Sequence, residues 1–164
     1  MKVAVLGATG QTGQNLVNQA LQQGHIITAI VRNPSKLTIN HENLKVVEAD
    51  IFSRDSLKPH FEGQDAVMSC LGFPPSFFYG VTGYTQSMRA TLDAMQDVKV
   101  NRIITMTSWY TDHKEIQTHE GFYVPDENGF PVGQTLSRSD VARFMLSLLS
   151  NNTWIKKAVA IITK

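Results

Sequence analysis

A glycine-rich segment near the start of the chain, residues 7–13, has the residue types of a phosphate-binding turn. It follows an apolar run, Lys2–Leu6, and precedes a segment whose apolar residues have helical spacing. This strand–turn–helix context is what supports the interpretation of such a motif as a binding site. Without that context, a glycine-rich turn that binds nothing would be the simpler interpretation. Glycine allows a tight turn and a close approach to a pyrophosphate, whose charge the free N–H groups and dipole of the helix favour. The glycines are Gly7, Gly10 and Gly13, and the side chains that add donors are Thr9, Gln11 and Thr12.

The second apolar run ends at Arg32, and this position predicts which dinucleotide is bound. A site for NAD usually has an acidic residue about 20 residues after the glycines, where it binds the ribose 2′-hydroxyl. Here Arg32 and Lys36 follow the second strand, and no Asp or Glu precedes Glu42. Arginine can bind a 2′-phosphate with two hydrogen bonds, and lysine adds a point charge. The alternative is a solvated basic turn, but after this glycine segment the sequence favours NADP(H).

The ends of the third and fourth apolar runs supply further candidates for the cofactor site. Asp50 could accept a hydrogen bond from an adenine amino group, or it could cap the helix that begins near Ser53. Ligands of open α/β sheets bind at the carboxyl edge, where these runs end. We interpret Cys70 as a packing residue there rather than as a reactive thiol. The remaining cofactor candidates at these two ends are Ile51, Leu71 and Gly72.

Ser108 ends the fifth apolar run, and Tyr110 and Lys114 follow it with the spacing of a catalytic Tyr-x-x-x-Lys. Such a pair needs a helix, which places both side chains on one face so that the lysine lowers the pKa of the tyrosine. The intervening Thr111-Asp112-His113 is a poor helix interior and is typical of a turn. We therefore name Ser108 as the catalytic candidate and keep Tyr110 and Lys114 as the alternative. His113 and His119 lack a third ligand, so no metal site is predicted.

The elements that must position these residues alternate regularly. Near-continuous apolar runs alternate with helical patterns, which predicts a parallel sheet covered on both faces. The fold class is therefore α/β, a three-layer doubly wound parallel sheet with five strands in residues 1–108, followed by a C-terminal helix and strand. Strands are expected at 2–6, 26–31, 44–49, 66–71, 102–107 and 158–163, with a short extended piece at 122–124. Helices are expected at 11–23, 55–61, 81–95 and from Ser137, which has the spacing of a capping box with Asp140.

Length and composition restrict the class of protein. The 164 residues suffice for one domain, which we divide into a dinucleotide-binding core at 1–110, an irregular substrate-side loop at 111–136 and a C-terminal helix and strand at 137–164. A net charge of +1 favours neither nucleic acid nor an anionic membrane as a partner. No apolar run is long enough to cross a bilayer, and the single cysteine fits a reducing compartment. We expect a cytoplasmic monomer or weak homo-oligomer.

Several segments together resemble the atypical short-chain dehydrogenase/reductases with an NAD(P)-binding Rossmann fold. They are GATGQTG, IVRNPSKL, EADIF, GQDAVMSCLG and RIITMTS. The sequence is most similar to the NADPH-dependent flavin reductase/biliverdin-IXβ reductase group and more distantly to NmrA-like proteins. The resemblance implies NADPH on the glycine turn, with Arg32 and Lys36 at its 2′-phosphate and Ser108 near the nicotinamide. It also implies hydride transfer to a small, planar, conjugated acceptor such as a flavin, a quinone or a biliverdin-like tetrapyrrole.

The sequence departs from this family after residue 110, where a helix and a strand of the usual pattern are missing. Their loss would uncover apolar surface and leave the fifth strand as an edge, unless the last strand pairs with it. Two other hypotheses therefore remain: a non-catalytic NADP(H)-binding regulator, and a truncated isoform with impaired activity. The candidate walls for a flat acceptor are Phe73, Phe77, Phe78, Trp109, Tyr110 and Phe122.

Overall fold

The computed structural model describes residues 1–73, 82–106, 122–123, 137–156 and 162–163. The strands are β1 (Lys2–Leu6), β2 (Ile26–Val31), β3 (Leu44–Glu48), β4 (Ala66–Ser69), β5 (Ile103–Thr105), β6 (Phe122–Tyr123) and β7 (Ile162–Thr163). The helices are α1 (Gln11–Gln22), α2 (Arg54–Phe61), α3 (Gly83–Asp97) and α4 (Arg138–Ser147), with a 3₁₀ helix at Pro34–Lys36. The predicted alternation of strands and helices is confirmed.

Strands β1 to β5 form one parallel sheet in the order β3-β2-β1-β4-β5. In this register Leu6 of β1 lies beside Ile30 of β2 and beside Ser69 of β4. The carboxyl ends of the strands therefore meet at one edge, and the strand order reverses between β1 and β4. Such a reversal creates the crevice where ligands bind in doubly wound folds.

Each face of the sheet is covered by a pair of helices. Helices α1 and α4 pack together, and so do α2 and α3. Because side chains alternate along a strand, Val3 and Val5 join the core beneath α1 and α4, whereas Ala4 and Leu6 join the core beneath α2 and α3. All four residues have no exposed surface. The predicted three-layer α/β fold is confirmed.

The side of the sheet near β5 differs from the rest. In the part of the chain that the structure describes, β5 has a partner only in β4, and the short strand β7 pairs antiparallel with β6 instead. A mainly apolar groove of about 540 Å³ lies between α3 and the ends of β4 and β5, with Leu71, Leu92 and Met106 in its walls. The fifth strand is thus an edge of the sheet that the described residues form.

Helix α4 is bound at each end by a side chain from a distant part of the chain. Gln19 of α1 donates from Nε2 to the carbonyl oxygen and the hydroxyl of Ser139, both at 2.9 Å. Arg102, just before β5, donates to the carbonyl oxygen of Leu148 at 2.8 Å and to Oδ1 of Asn152 at 2.6 Å. These bonds hold both ends of α4 in place.

The start of α4 has the predicted serine cap. The hydroxyl oxygen of Ser137 accepts from the backbone N–H of Asp140 at 3.0 Å, which satisfies one free donor of the first turn. The same hydroxyl donates to Oδ2 of Asp140 at 2.7 Å. The acidic side chain therefore binds the cap hydroxyl, whereas in the usual capping box it binds the cap backbone N–H.

Candidate functional site

Two of the three motif glycines are required by the protein's own backbone. Gly7 has a φ of +76°, and a Cβ there would lie 2.7 Å from the carbonyl oxygen of Cys70. A Cβ at Gly13 would lie 2.2 Å from the carbonyl oxygen of Gly7. Glycine at these positions brings the start of α1 against the end of β1 and lets β1 turn closely past the end of β4.

Gly10 is different, because the fold leaves room for a side chain there. Its φ is −75°, and an added Cβ would lie 3.4 Å from the carbonyl oxygen of Gly7, with no closer heavy atom. The residue is exposed at the carboxyl edge. Packing therefore does not explain this glycine, whereas a ligand that approaches the backbone at this point does.

The N-terminus of α1 offers free backbone donors. Its cap residue, Gly10, has no side chain, and the first bond within the helix runs from Gln14 N–H to the carbonyl oxygen of Gly10 at 2.9 Å. Helix geometry leaves the three preceding N–H groups, at residues 11–13, without an acceptor inside the helix. Helices α2 and α4 instead begin with serine caps whose side chains accept from first-turn N–H groups. The start of α1 thus matches the backbone arrangement that holds an anion.

The polar side chains of the glycine segment differ in exposure. Gln11 is exposed, Thr9 is half-buried, and Thr12 is buried with 5% of its surface accessible. The side-chain amide of Gln14 donates to the carbonyl oxygen of Thr9 at 2.9 Å, which fixes the turn from within. All three predicted donors therefore lie at the turn, and Gln11 is the most open to a ligand.

The two predicted cations lie on the turn that follows β2. Arg32 and Lys36 are both exposed. Neither side chain forms a hydrogen bond or ion pair with any residue in the described ranges. Leu37 is the residue after the turn; its side chain is 7% exposed and belongs to the core beneath α1 and α4. A pair of unengaged cations at the carboxyl edge fits the 2′-phosphate of NADP(H).

Asp50 and Ile51 follow β3 at the same edge. Oδ1 of Asp50 accepts from the backbone N–H of Phe52 at 2.9 Å, and the cap of α2 is Ser53, which accepts from Ser56 N–H at 3.2 Å. Of the two alternatives for Asp50, the helix cap is therefore wrong, because Ser53 fills that place. The carboxylate of Asp50 stays exposed at the edge, whereas Ile51 is 5% exposed.

Cys70, Leu71 and Gly72 follow β4 at the crevice. The Cys70 side chain is 7% exposed, its Sγ lies 3.9 Å from Sδ of Met145, and burial raises the pKa of the thiol to about 12. A protonated, enclosed thiol is a poor nucleophile, which supports its interpretation as a packing residue. Leu71 is half-buried, and Gly72 is exposed with no atom near its missing side chain.

One candidate wall residue, Phe73, belongs to an aromatic cluster. Its ring lies edge-on to Tyr84 with centroids 4.9 Å apart, and 6.1 Å from Phe52. The Tyr84 hydroxyl accepts from the backbone N–H of Phe73 at 3.3 Å, and a Cβ at Gly83 would strike the Phe73 ring at 2.5 Å. This cluster supports the segment that leaves β4.

The predicted catalytic groups lie outside the described residues. The catalytic candidates are Ser108, Tyr110 and Lys114. The candidate walls Phe77, Phe78 and Trp109 and the side chain of Phe122 also lie outside the described residues. The structure does show where the chain leads to them. Met106, directly after β5, donates its backbone N–H to the carbonyl oxygen of Ser69 at 3.0 Å. The chain therefore enters this segment beside the end of β4.

The sequence interpretation missed a contribution from Asn33 and Ser35. The side-chain oxygen of Asn33 accepts from Ser35, and this bond caps the 3₁₀ helix between the two cations. A signal was present, because an asparagine directly before a proline is typical of a turn or helix start.

The fold and this glycine turn agree with the comparisons. A family model described as NAD(P)H-binding matches residues 7–124. This match covers well over half of the chain, and the chain belongs to this NAD(P)H-binding family. A Rossmann-fold NAD(P)-binding family protein from Shigella flexneri has a similar structure, with a TM-score of 0.72, 19% identity, and an alignment that covers 93% of this chain and 87% of that one.

Two relatives of known sequence add to the comparison. YwnB of Bacillus subtilis is 30% identical over 108 residues, which are 65% of this chain and 46% of YwnB. The photosystem II assembly factor Ycf39 of Synechocystis is 36% identical over 69 residues, which are 42% of this chain and 21% of Ycf39. The chain thus spans less than half the length of either relative. Among the described residues, no helix is long and apolar enough to cross a membrane.

Proposed function

We propose that this protein is an NADPH-dependent oxidoreductase that reduces a planar, conjugated acceptor such as a flavin, a quinone or a biliverdin-like tetrapyrrole. The observation that carries the cofactor part is Gly10. It is the one motif glycine whose missing side chain the fold does not need, and it lies at the free N-terminus of α1. A pyrophosphate that approaches the backbone at Gly10 accounts for both facts.

The preference for NADPH over NADH rests on the turn after β2. Arg32 and Lys36 are exposed and are engaged by none of the described residues, so their charges are available to a ligand. No acidic residue precedes Glu42, so nothing in the first two strands and their turns repels a phosphate. A 2′-phosphate between these cations gains charge-assisted hydrogen bonds that NADH cannot make.

The protein's own residues supply position and electrostatics. The N–H groups at residues 11–13 would hold the pyrophosphate, and the turn after β2 would hold the 2′-phosphate. Ser108, which follows β5 in the sequence, is the residue that we assign to the nicotinamide end. NADPH, when bound, supplies a hydride, and with a proton from water this completes the two-electron reduction of the acceptor. Ser108 orients the acceptor or the water. A flavin or tetrapyrrole acceptor can take its proton from solvent, so the site needs no dedicated acid.

The first experiment measures the affinity of the purified protein for NADPH and NADH by calorimetry. We expect NADPH to bind at least about tenfold more tightly, because one charge-assisted contact is worth on the order of 1.5–3 kcal/mol. Arg32→Ala should remove most of this preference. Arg138→Ala is the matched control, because it also removes an exposed arginine. Arg138 is next to Ser139, which binds Gln19 in the C-terminal half of α1, away from the glycine turn. Equal affinities of the wild type for the two cofactors would refute the assignment to NADPH.

The second experiment follows NADPH oxidation with a flavin, a quinone and biliverdin as acceptors. We expect turnover with at least one of these acceptors. Ser108→Ala should lower the turnover rate without changing the affinity for NADPH. A protein that binds NADPH and oxidises it with none of the three would refute the reductase proposal.

A second candidate function is an NADP(H)-binding regulatory or assembly protein without turnover. The observation that favours it is the similarity to Ycf39, whose name describes an assembly factor rather than a reductase. In this case NADPH would still raise the melting temperature, because a ligand that binds only the folded state stabilises it. Tight NADPH binding without turnover in the second experiment would favour this candidate.

A further inference from the structure

The turn between β2 and β3 is held by a side chain whose hydrogen bonds among the described residues both come from Ser35. Oδ1 of Asn33 accepts two hydrogen bonds from Ser35, one from its backbone N–H at 3.0 Å and one from its hydroxyl at 2.7 Å. The backbone adds bonds from Lys36 N–H to the carbonyl oxygen of Asn33 at 3.2 Å and from Leu37 N–H to that of Pro34 at 3.1 Å. Asn33 thus closes a single compact turn.

This turn determines how far apart the two cations lie. Arg32 immediately precedes Asn33, and Lys36 is the last residue of the 3₁₀ helix that Asn33 caps. Both cationic side chains extend into solvent without a partner in the described part of the chain. Their relative position therefore depends on the backbone between them, which the Asn33 cap, the two backbone bonds of the turn, the fixed φ of Pro34 and the buried Leu37 restrain.

We propose that Asn33 is a positioning residue for selectivity between NADPH and NADH. The inference rests on the proposed function, in which Arg32 and Lys36 bind the 2′-phosphate. With the cap in place, both cations face the phosphate in one arrangement, and little conformational freedom is lost when it binds. Without the cap, the turn adopts several arrangements, and binding must select one of them. NADH lacks the 2′-phosphate, so its affinity is independent of the cap.

The test compares Asn33→Ala and Asn33→Ser with the wild type. Alanine removes the acceptor, whereas serine restores a side-chain oxygen that caps helices about as well as asparagine. Affinities for NADPH and NADH are measured by calorimetry, and unfolding of the free protein is followed by circular dichroism. We expect Asn33→Ala to bind NADPH about fivefold more weakly, which corresponds to the usual effect of one lost cap. Its affinity for NADH should match the wild type, and its melting temperature should fall by only about 2–4 °C, as expected for one lost cap. Asn33→Ser should restore NADPH binding to within about twofold.

Three results would overturn the inference. Unchanged NADPH affinity in Asn33→Ala would show that the cap does not position the cations. An equal loss for NADPH and NADH would show a general structural role instead. An equal loss in the serine and alanine variants would show that the asparagine amide itself binds the phosphate.

Arg32→Ala separates a failure of this inference from a failure of the proposed function. If the wild type does not prefer NADPH, the assignment of the 2′-phosphate site and the inference fall together. A different result would leave the 2′-phosphate site intact: the wild type prefers NADPH, Arg32→Ala loses this preference and Asn33→Ala keeps it. In that case only the role of Asn33 is wrong.

Discussion

Alanine substitutions at Gly13 and Gly10 should separate the structural and the ligand-binding roles of the glycine turn. In Gly13→Ala, the new Cβ would lie 2.2 Å from the carbonyl oxygen of Gly7, and backbone must move by about 0.8 Å to reach 3.0 Å. Overpacking of this kind costs about 1–3 kcal/mol. At about 2–4 °C per kcal/mol for a chain of this size, the melting temperature should fall by roughly 2–12 °C.

Gly10→Ala should have the opposite profile. Its Cβ meets no atom closer than 3.4 Å and its φ of −75° suits alanine, so no packing strain arises. Alanine is a weaker cap than glycine, but it also lowers the entropy of the unfolded chain, and these effects of about 0.5–1 kcal/mol offset each other. The melting temperature should stay within about 2 °C of the wild type. NADPH affinity should fall at least about tenfold, because the Cβ occupies the space where the pyrophosphate approaches.

The assay combines thermal unfolding of the free protein with calorimetric titration of NADPH. Gly24→Ala is the control, because Gly24 has a φ of +78° at the end of α1, far from the carboxyl edge, with no atom within 4 Å of its missing side chain. It should destabilise the fold and leave NADPH binding unchanged. Wild-type NADPH affinity in Gly10→Ala would refute the proposed ligand position, and wild-type melting of Gly13→Ala would refute the packing argument.

Two further predictions concern ionisable groups. Burial raises the pKa of the Cys70 thiol to about 12, so at about pH 8 it should react with iodoacetamide only as fast as the protein unfolds. Rapid modification of the folded protein, measured by mass spectrometry, would contradict this prediction. The hydrogen bond from Arg54, 2.7 Å from Oδ1 of Asp97, lowers the pKa of Asp97 below 3.8. The stability from this pair is therefore present above pH 3.8 and lost as the pH falls through the lowered pKa. Asp97→Asn should show a shallower loss of stability in this range in urea unfolding, and identical acid profiles would contradict it.

The sheet could be predicted because its strands are buried on both faces. The run 26–31, for example, lies between Gly24 and Arg32, and the structure places β2 at Ile26–Val31. The last strand was harder to predict. The run 158–163 includes β7 at Ile162–Thr163, but its partner is Phe122–Tyr123 and not β5. Two residues on each side carry too little pattern to specify a partner 40 residues away in sequence.

The glycine turn could be predicted because its geometry admits almost no other residue at positions 7 and 13. The role of Gly83 could not, because the reason for that glycine is the ring of Phe73, a contact formed only in the folded chain. Asn33 is intermediate. Its type and its place before Pro34 indicated a turn, but only the structure shows that both of its bonds go to Ser35, between the two cations.

The packing of α4 on α1 has a consequence for synthesis at the ribosome. The bonds from Gln19 to Ser139 join residues 120 positions apart. Leu16 and Val17, which are fully buried in the folded protein, belong to the same core as Ala142, Met145 and Leu146 of α4. This core is therefore incomplete until α4 has left the exit tunnel. The helix that carries the cofactor turn is thus made well before the helix that completes its packing. During that interval the nascent chain exposes apolar surface that chaperones recognise.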